Sequence, residues 1–187
     1  MSFFNAIKKY FIRKPSLQES FTWKYFNIDE ELVKEIKDIY LKNLKEDVSQ
    51  YTFFQVLRLN IPDIMGHKVV GAGLVYSPGN HTSKFSHKDP MVDGASAFAL
   101  NIPLANCDNS VTTLYKSRKS PMFTFYGTRI AEIAKVTDCD KVTSYTLDSP
   151  ILFNTQILHA VDNFSAHPRL AISLRFDKDP IEWIGVH

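Results

Sequence analysis

Two segments in the C-terminal third, PILFNTQILHAV (residues 150–161) and RLAISLRF (169–176), decide the fold class. Both are short and rich in aliphatic, β-branched and aromatic residues, and the turn signal LDSP leads into the first, so they are predicted to be strands. Many short strands with few long helices between them indicate an antiparallel sandwich, barrel or jelly roll. Five earlier segments share these features and bring the predicted strands to at least seven: TFFQVLRLNI (52–61), KVVGAGLVY (68–76), ASAFALNIPL (95–104), SVTTLYK (110–116) and KVTSYTL (141–147).

Residues 1 to about 50 are predicted to be helical, most clearly in NIDEELVKEIKDIYLKNLKED (27–47). Apolar residues recur there at helical spacing, and Asn27 or Asp29 is expected to cap the helix ahead of two glutamates in its first turn. The segment TRIAEIAKV (128–136) fits a short helix or a strand, and we favour the helix. The amphipathic stretch SFFNAIKKYFIRK (2–14) fits either a membrane-surface or targeting helix or an arm packed on its own domain, and we favour the arm.

Composition narrows the class of protein. Among 187 residues, 44% are hydrophobic and 22% are charged, which is typical of a globular domain. A net charge of +2 gives no reason to expect a nucleic-acid partner. Two cysteines are too few for a disulfide framework, which favours a reducing cytoplasm, and no apolar run is long enough to cross a membrane.

A candidate metal site lies in FSHKDP (85–90), which places His87 and Asp89 two positions apart. In a strand such residues project from one face, so one metal ion could contact both. His159 follows far downstream in the first quoted segment. Two histidines and one carboxylate are the ligands that non-haem Fe(II) oxygenases use, and they leave coordination positions open.

Those open positions suit a 2-oxo acid, which can chelate iron through its keto oxygen and C1 carboxylate while dioxygen takes the remaining position. The far carboxylate then needs a buried cation, and a guanidinium meets a carboxylate through two hydrogen bonds. Arg169, ten positions after His159, is our candidate. Arg175 is its rival, because an even spacing puts both side chains on one face of the strand.

The segments YSPGNHTSKFSHKDP (76–90), ILFNTQILHAVDN (151–163) and PRLAISLRF (168–176) together resemble the 2-oxoglutarate-dependent oxygenases, particularly their prolyl-hydroxylase-like branch. The likeness covers about residues 70–176, and LDSP replaces the glycine-containing turn usual before the last strands. It implies a double-stranded β-helix with iron at its mouth. It also makes Tyr76, Asn101 and Tyr115 candidates to line the cosubstrate pocket.

The length of the chain predicts a single domain over residues 1–187, and we divide it into a helical region at 1–50 and a jelly-roll core at 51–180. The reaction that the resemblance implies uses Fe(II), 2-oxoglutarate and O2 to hydroxylate a C–H bond of a small molecule or peptide, for instance in a prolyl or other amino-acid side chain, and releases succinate and CO2. Two alternatives stay open: a cupin-type metalloprotein with different ligands, and a non-catalytic jelly-roll module.

Overall fold

The computed structural model describes residues 22–43, 54–56, 61–90, 94–126 and 129–184. Within them, twelve strands form two antiparallel sheets of six strands each. In spatial order the first sheet contains β1 (Trp23–Tyr25), β10 (Ile151–Asn154), β5 (Phe98–Ala105), β12 (Arg169–Phe176), β3 (Val69–Ser77) and β2 (Phe54–Val56). The second contains β7 (Met122–Tyr126), β8 (Arg129–Lys135), β4 (Phe85–His87), β11 (Leu158–Asn163), β6 (Ser110–Ser117) and β9 (Cys139–Tyr145).

The connections between these strands make the fold a jelly roll. From β3 to β6 the chain changes sheet at every step, and it does so again from β9 to β12. The four central strands of the first sheet are β10-β5-β12-β3, and they face β4-β11-β6-β9 of the second, which is the double-stranded β-helix. Strands β7 and β8 extend the second sheet beyond β4. The predicted fold class is therefore confirmed.

The two faces of the first sheet have different partners. Along β12, Leu170, Ile172, Leu174 and Phe176 belong to a core on the outer face, which we call the helix-side cluster. Helix α1 (Glu30–Asn43) covers this face and contributes buried apolar side chains to the same cluster. The interior cluster, between the sheets, comprises Ala99, Cys107, Leu114, Tyr145, Leu147, Ile151, Phe153 and Ala171.

The start of α1 agrees with the expected capping. Asp29 Oδ1 accepts hydrogen bonds from the backbone N–H groups of Glu31 (3.0 Å) and Leu32 (3.1 Å), so it satisfies two donors that the first turn would leave free. At the other end of α1, the Tyr40 hydroxyl donates to Gly73 O at 3.4 Å in the covered sheet. A four-residue helix α2 (Ile181–Ile184) packs Trp183 into the helix-side cluster.

Three local predictions are corrected by the structure. Residues 23–25 lie in the predicted helical region but form β1, because they pair with β10 at the sheet edge. The segment 128–136 contains strand β8, not a helix, because β4 and β7 hydrogen-bond to it from both sides. The predicted strand 150–161 falls on two strands in different sheets, separated by a turn in which Asn154 Oδ1 accepts from the N–H of Gln156 at 2.9 Å.

Several predictions concern residues outside the described ranges. The amphipathic stretch 2–14, the end of the predicted helical region at 44–50 and most of the predicted strand 52–61 lie there. Among the helices that the structure describes, none combines the length and apolarity that a membrane crossing requires.

Candidate metal centre

His87 and His159 lie opposite each other where β4 pairs with β11. Their ring centroids are 4.5 Å apart, and the edge of the His159 ring packs against Phe153 of the interior cluster at 5.1 Å. Both imidazoles therefore project into the space between the sheets. The Nδ1 atom of His159 lies 2.9 Å from the carbonyl oxygen of Ile157. Because that oxygen only accepts, Nδ1 is the donor, which leaves Nε2 as the ring atom that could bind a metal.

Asp89 reaches the two histidines from outside the strand. Strand β4 ends at His87, so the strand geometry assumed from the sequence does not place Asp89. The turn between β10 and β11 does so: the N–H of Asp89 donates to Thr155 O at 3.0 Å, and Gln156 Nε2 donates to Asp89 O at 3.2 Å. In this position Asp89 Oδ1 is 3.4 Å from Nε2 of His87 and 3.4 Å from Nε2 of His159.

The spacing of these donors fits one metal ion. The ligand atoms of His87, Asp89 and His159 all lie within 4.8 Å of one another. Two donors at about 2.1 Å from a metal and at a right angle are about 3.0 Å apart. The observed 3.4 Å is close to that value, so a small contraction would complete the site. Two imidazoles with one carboxylate form a donor set suited to Fe(II) with open positions.

The charge states of these groups also suit a metal. Burial lowers the pKa of His87, the neighbouring His159 lowers it further, and Asp89 offsets only part of this. The ring is therefore neutral at pH 7 and can donate its lone pair. Burial acts to raise the pKa of Asp89, but Arg175 and the two histidines hold it well below its usual range. Asp89 is therefore an ionised carboxylate.

Arg169 begins β12 and is 1% exposed. Its Nε and Nη1 atoms have no hydrogen-bond partner among the described residues, and burial lowers its pKa. Tyr145 lies close enough for the two groups to affect each other's ionisation, and burial raises the pKa of Tyr145 to about 12. Asn101 lies beside the Tyr145 hydroxyl, and its Oδ1 is likewise buried without a hydrogen-bond partner. These three residues therefore bring unused buried donors and acceptors close together.

Arg175 is the other candidate to bind the far carboxylate of 2-oxoglutarate. It projects from the same face of β12 as Arg169 but already forms an ion pair with Asp89. Its Nη2 forms an ion pair with Asp89 Oδ2, and its Nη1 donates to Thr155 Oγ1 at 2.8 Å. The structure thus brings both arginines into the interior in different settings. Arg175 neutralises the metal-site carboxylate, whereas Arg169 has no anion beside it among the described residues.

Of the three residues predicted to line the cosubstrate pocket, only Asn101 lies near Arg169 and Tyr145. The predictions for Tyr76 and Tyr115 are corrected. Tyr76 pairs with Leu170 and packs on the helix-side cluster, so it lies on the opposite face of the sheet from Arg169. Tyr115 pairs with Leu158, while the neighbouring Leu114 pairs with His159. Because successive strand residues point to opposite faces, Tyr115 projects away from the metal site.

Tyr145, Thr155 and Gln156 belong to the surroundings of the site but were missed by sequence reasoning. Tyr145 ends β9, and its inward direction depends on the pairing of β9 with β6. The hydrogen bonds of Thr155 O and Gln156 Nε2 to the Asp89 backbone depend on the turn between β10 and β11, where the sequence predicts a continuous strand. No sequence motif marks any of the three.

No protein-family model matches the chain, and no curated protein matches it in sequence. Among solved structures, the crystal structure of EvdMO1 aligns with 83% of this chain and 47% of its own, at 12% identity and a TM-score of 0.41. The chain thus spans about half the length of EvdMO1. AviO1 from Streptomyces viridochromogenes Tue57 aligns with 86% of this chain and 90% of its own, at 11% identity and a TM-score of 0.38.

Proposed function

We propose that the protein is an Fe(II)- and 2-oxoglutarate-dependent dioxygenase that hydroxylates an unactivated C–H bond, with His87, Asp89 and His159 as iron ligands. The observation that carries the proposal is the convergence of these three side chains, from two distant segments, on one point between the sheets. Arg169 would bind the far carboxylate of 2-oxoglutarate. The iron, when bound, would activate O2 while 2-oxoglutarate is converted to succinate and CO2.

The residues of this chain orient and charge the site. The hydrogen bond from His159 Nδ1 to Ile157 O fixes the ring and its tautomer, so that Nε2 faces the metal position. The ionised Asp89 offsets part of the metal's charge. Side-chain exposures of 20% for His87 and 23% for Asp89 leave one side of the site open to solvent, where a substrate could approach.

The state of Arg169 supports a 2-oxo acid as the cosubstrate. A buried guanidinium with unused donors is costly, because its charge and its N–H groups have left water without full compensation. A carboxylate ligand would satisfy the donors through two parallel charge-assisted hydrogen bonds. Asn101 and the Tyr145 hydroxyl lie close to Arg169 and would add polar contacts. Since Arg175 is already paired with Asp89, Arg169 is the better candidate for this role.

The substrate class proposed here is a small molecule or peptide with a prolyl or other amino-acid side chain, and it rests on the family resemblance alone. A cupin-type metal protein without a 2-oxo acid would leave the donors of Arg169 unused. A non-catalytic jelly-roll module would not explain why two imidazoles and a carboxylate converge on one point. The oxygenase accounts for both features.

An anaerobic optical titration tests the proposal. We expect a charge-transfer band only when both Fe(II) and 2-oxoglutarate are present, because the band needs the keto acid chelated to iron. The band should be lost in His159→Ala and kept in His81→Ala, whose histidine pairs with Asn163 at the far end of β11. No band in the wild-type protein would count against the proposal.

A further inference from the structure

We propose that Arg175 is a positioning residue of the metal centre, which holds one oxygen of Asp89 so that this carboxylate donates only its other oxygen to the metal. The inference rests on the proposed function, because it concerns how the iron site is built. It also gives the second inward arginine of β12 a role of its own.

The two oxygens of Asp89 have separate partners. Oδ2 forms the ion pair with Arg175 Nη2. Oδ1 faces the two imidazoles, at 3.4 Å from Nε2 of each. The carboxylate is therefore oriented with one oxygen towards the metal position and the other away from it.

Arg175 is itself held in place. Its Nη1 donates to Thr155 Oγ1 at 2.8 Å and to Ser96 O at 3.3 Å. Thr155 is fully buried, and its hydroxyl donates to Ala97 O at 2.7 Å. Because the guanidinium is planar, fixing Nη1 also fixes the direction of Nη2. The arginine thus links the β10–β11 turn to the Asp89 carboxylate in a fixed orientation.

The backbone of Asp89 is fixed independently of the arginine. Its N–H donates to Thr155 O at 3.0 Å, and its carbonyl accepts from Gln156 Nε2 at 3.2 Å. The freedom that remains is rotation of the carboxylate about its own side-chain bonds. Arg175 is the group that opposes this rotation.

This rotation matters because a carboxylate can bind a metal through one oxygen or through both. A second oxygen would take a coordination position that the 2-oxo acid and dioxygen need. By engaging Oδ2, Arg175 keeps three positions open. Its positive charge also opposes the metal's charge, but we expect the loss of orientation to dominate when it is removed, as it does for other outer partners of metal ligands.

The test is an anaerobic Co(II) titration of the wild type and Arg175→Met, followed by calorimetry and by the visible d–d spectrum at saturation. We expect Arg175→Met to bind Co(II) about 10–100-fold more weakly. Its saturated d–d spectrum should differ from that of the wild type, since the released second oxygen replaces another ligand at one coordination position. A purely structural role would change affinity without changing the saturated spectrum. The matched control is Arg118→Met, which breaks an exposed arginine–aspartate pair (3.1 Å to Asp140) and should leave both readouts unchanged.

Thr155→Val provides a second variant, needed if Arg175→Met does not fold as judged by circular dichroism. It removes the hydroxyl that anchors Arg175 and keeps the arginine, so we expect the same spectral change with a smaller loss of affinity. Wild-type affinity and spectrum in the variants, or tighter binding, would overturn the inference and leave the proposed function standing. A wild-type protein that binds no Co(II) would overturn the proposed function itself.

Discussion

The Cα atoms of His87 and His159 are direct partners in the pairing of β4 with β11. The two histidines are 72 positions apart in the chain, and this pairing alone sets their imidazoles side by side, with ring centroids 4.5 Å apart. A slip of one residue would turn one of the rings to the other face of the sheet. The candidate metal site therefore depends on the register of one short strand pair.

Removing the ring of His87 should strongly weaken metal binding without unfolding the protein. With two ligands left, we expect His87→Ala to weaken Fe(II) or Co(II) binding by more than about 100-fold, measured by anaerobic calorimetry. His167→Ala is the control, because its histidine is exposed on a loop. Equal affinities in the two variants would contradict the site.

Arg169→Met should separate cosubstrate binding from metal binding. The loss of charge-assisted hydrogen bonds worth about 2 kcal/mol predicts that 2-oxoglutarate binds at least about 30-fold more weakly, with Co(II) affinity nearly unchanged. The ligand-free variant should be no less stable to urea than the wild type, because the change removes a buried charge without an anion beside it. If Arg175→Met alone weakened 2-oxoglutarate binding, the roles of the two arginines would be exchanged.

Tyr145→Phe should weaken 2-oxoglutarate binding by about fivefold, the effect of losing a hydrogen bond worth about 1 kcal/mol. Tyr115→Phe is the matched control, because that hydroxyl lies on the opposite face of the second sheet. Both dissociation constants are measurable by titration of the Co(II)-loaded protein. A larger effect at Tyr115 than at Tyr145 would show that the register of β6 is wrong.

The helix-side cluster should carry much of the stability. Ile172 is fully buried in it, so Ile172→Ala should lower the free energy of unfolding by about 2–5 kcal/mol. Val142, which is 51% exposed on β9, is the control, and Val142→Ala should change it by less than about 0.5 kcal/mol. Urea denaturation followed by circular dichroism measures both. Equal costs would contradict the described core.

The sequence predicted the fold class because strand composition and turn signals are local properties. It also singled out His87, Asp89, His159 and Arg169, whose residue types and spacing are visible in one dimension. The direction of Tyr115 was not visible, because it depends on the register of β6 with β11, which sets Leu114 opposite His159 and Tyr115 opposite Leu158. A shift of one residue in that pairing would exchange the two faces, and no local pattern specifies the register.

The misassigned segment 128–136 has a related cause. Its buried residues, Ala131 and Ala134, are three positions apart. That spacing suits one face of a helix, but it also occurs in a strand whose burial does not alternate regularly. Of the two flanking strands, β7 is the neighbouring strand of a hairpin, whereas β4 lies more than forty residues earlier in the chain. Likewise, Asp89 is placed by a turn more than sixty residues away. Both features depend on tertiary contacts that are set by the assembled sheets.

The most direct test of the central claim is a crystal structure of the anaerobic protein with Fe(II) and 2-oxoglutarate. We predict one metal ion bound by the Nε2 atoms of His87 and His159 and by a single oxygen of Asp89, with the far carboxylate of 2-oxoglutarate on Arg169. A metal bound elsewhere, or a metal at this site with Arg169 still lacking an anion, would contradict the account.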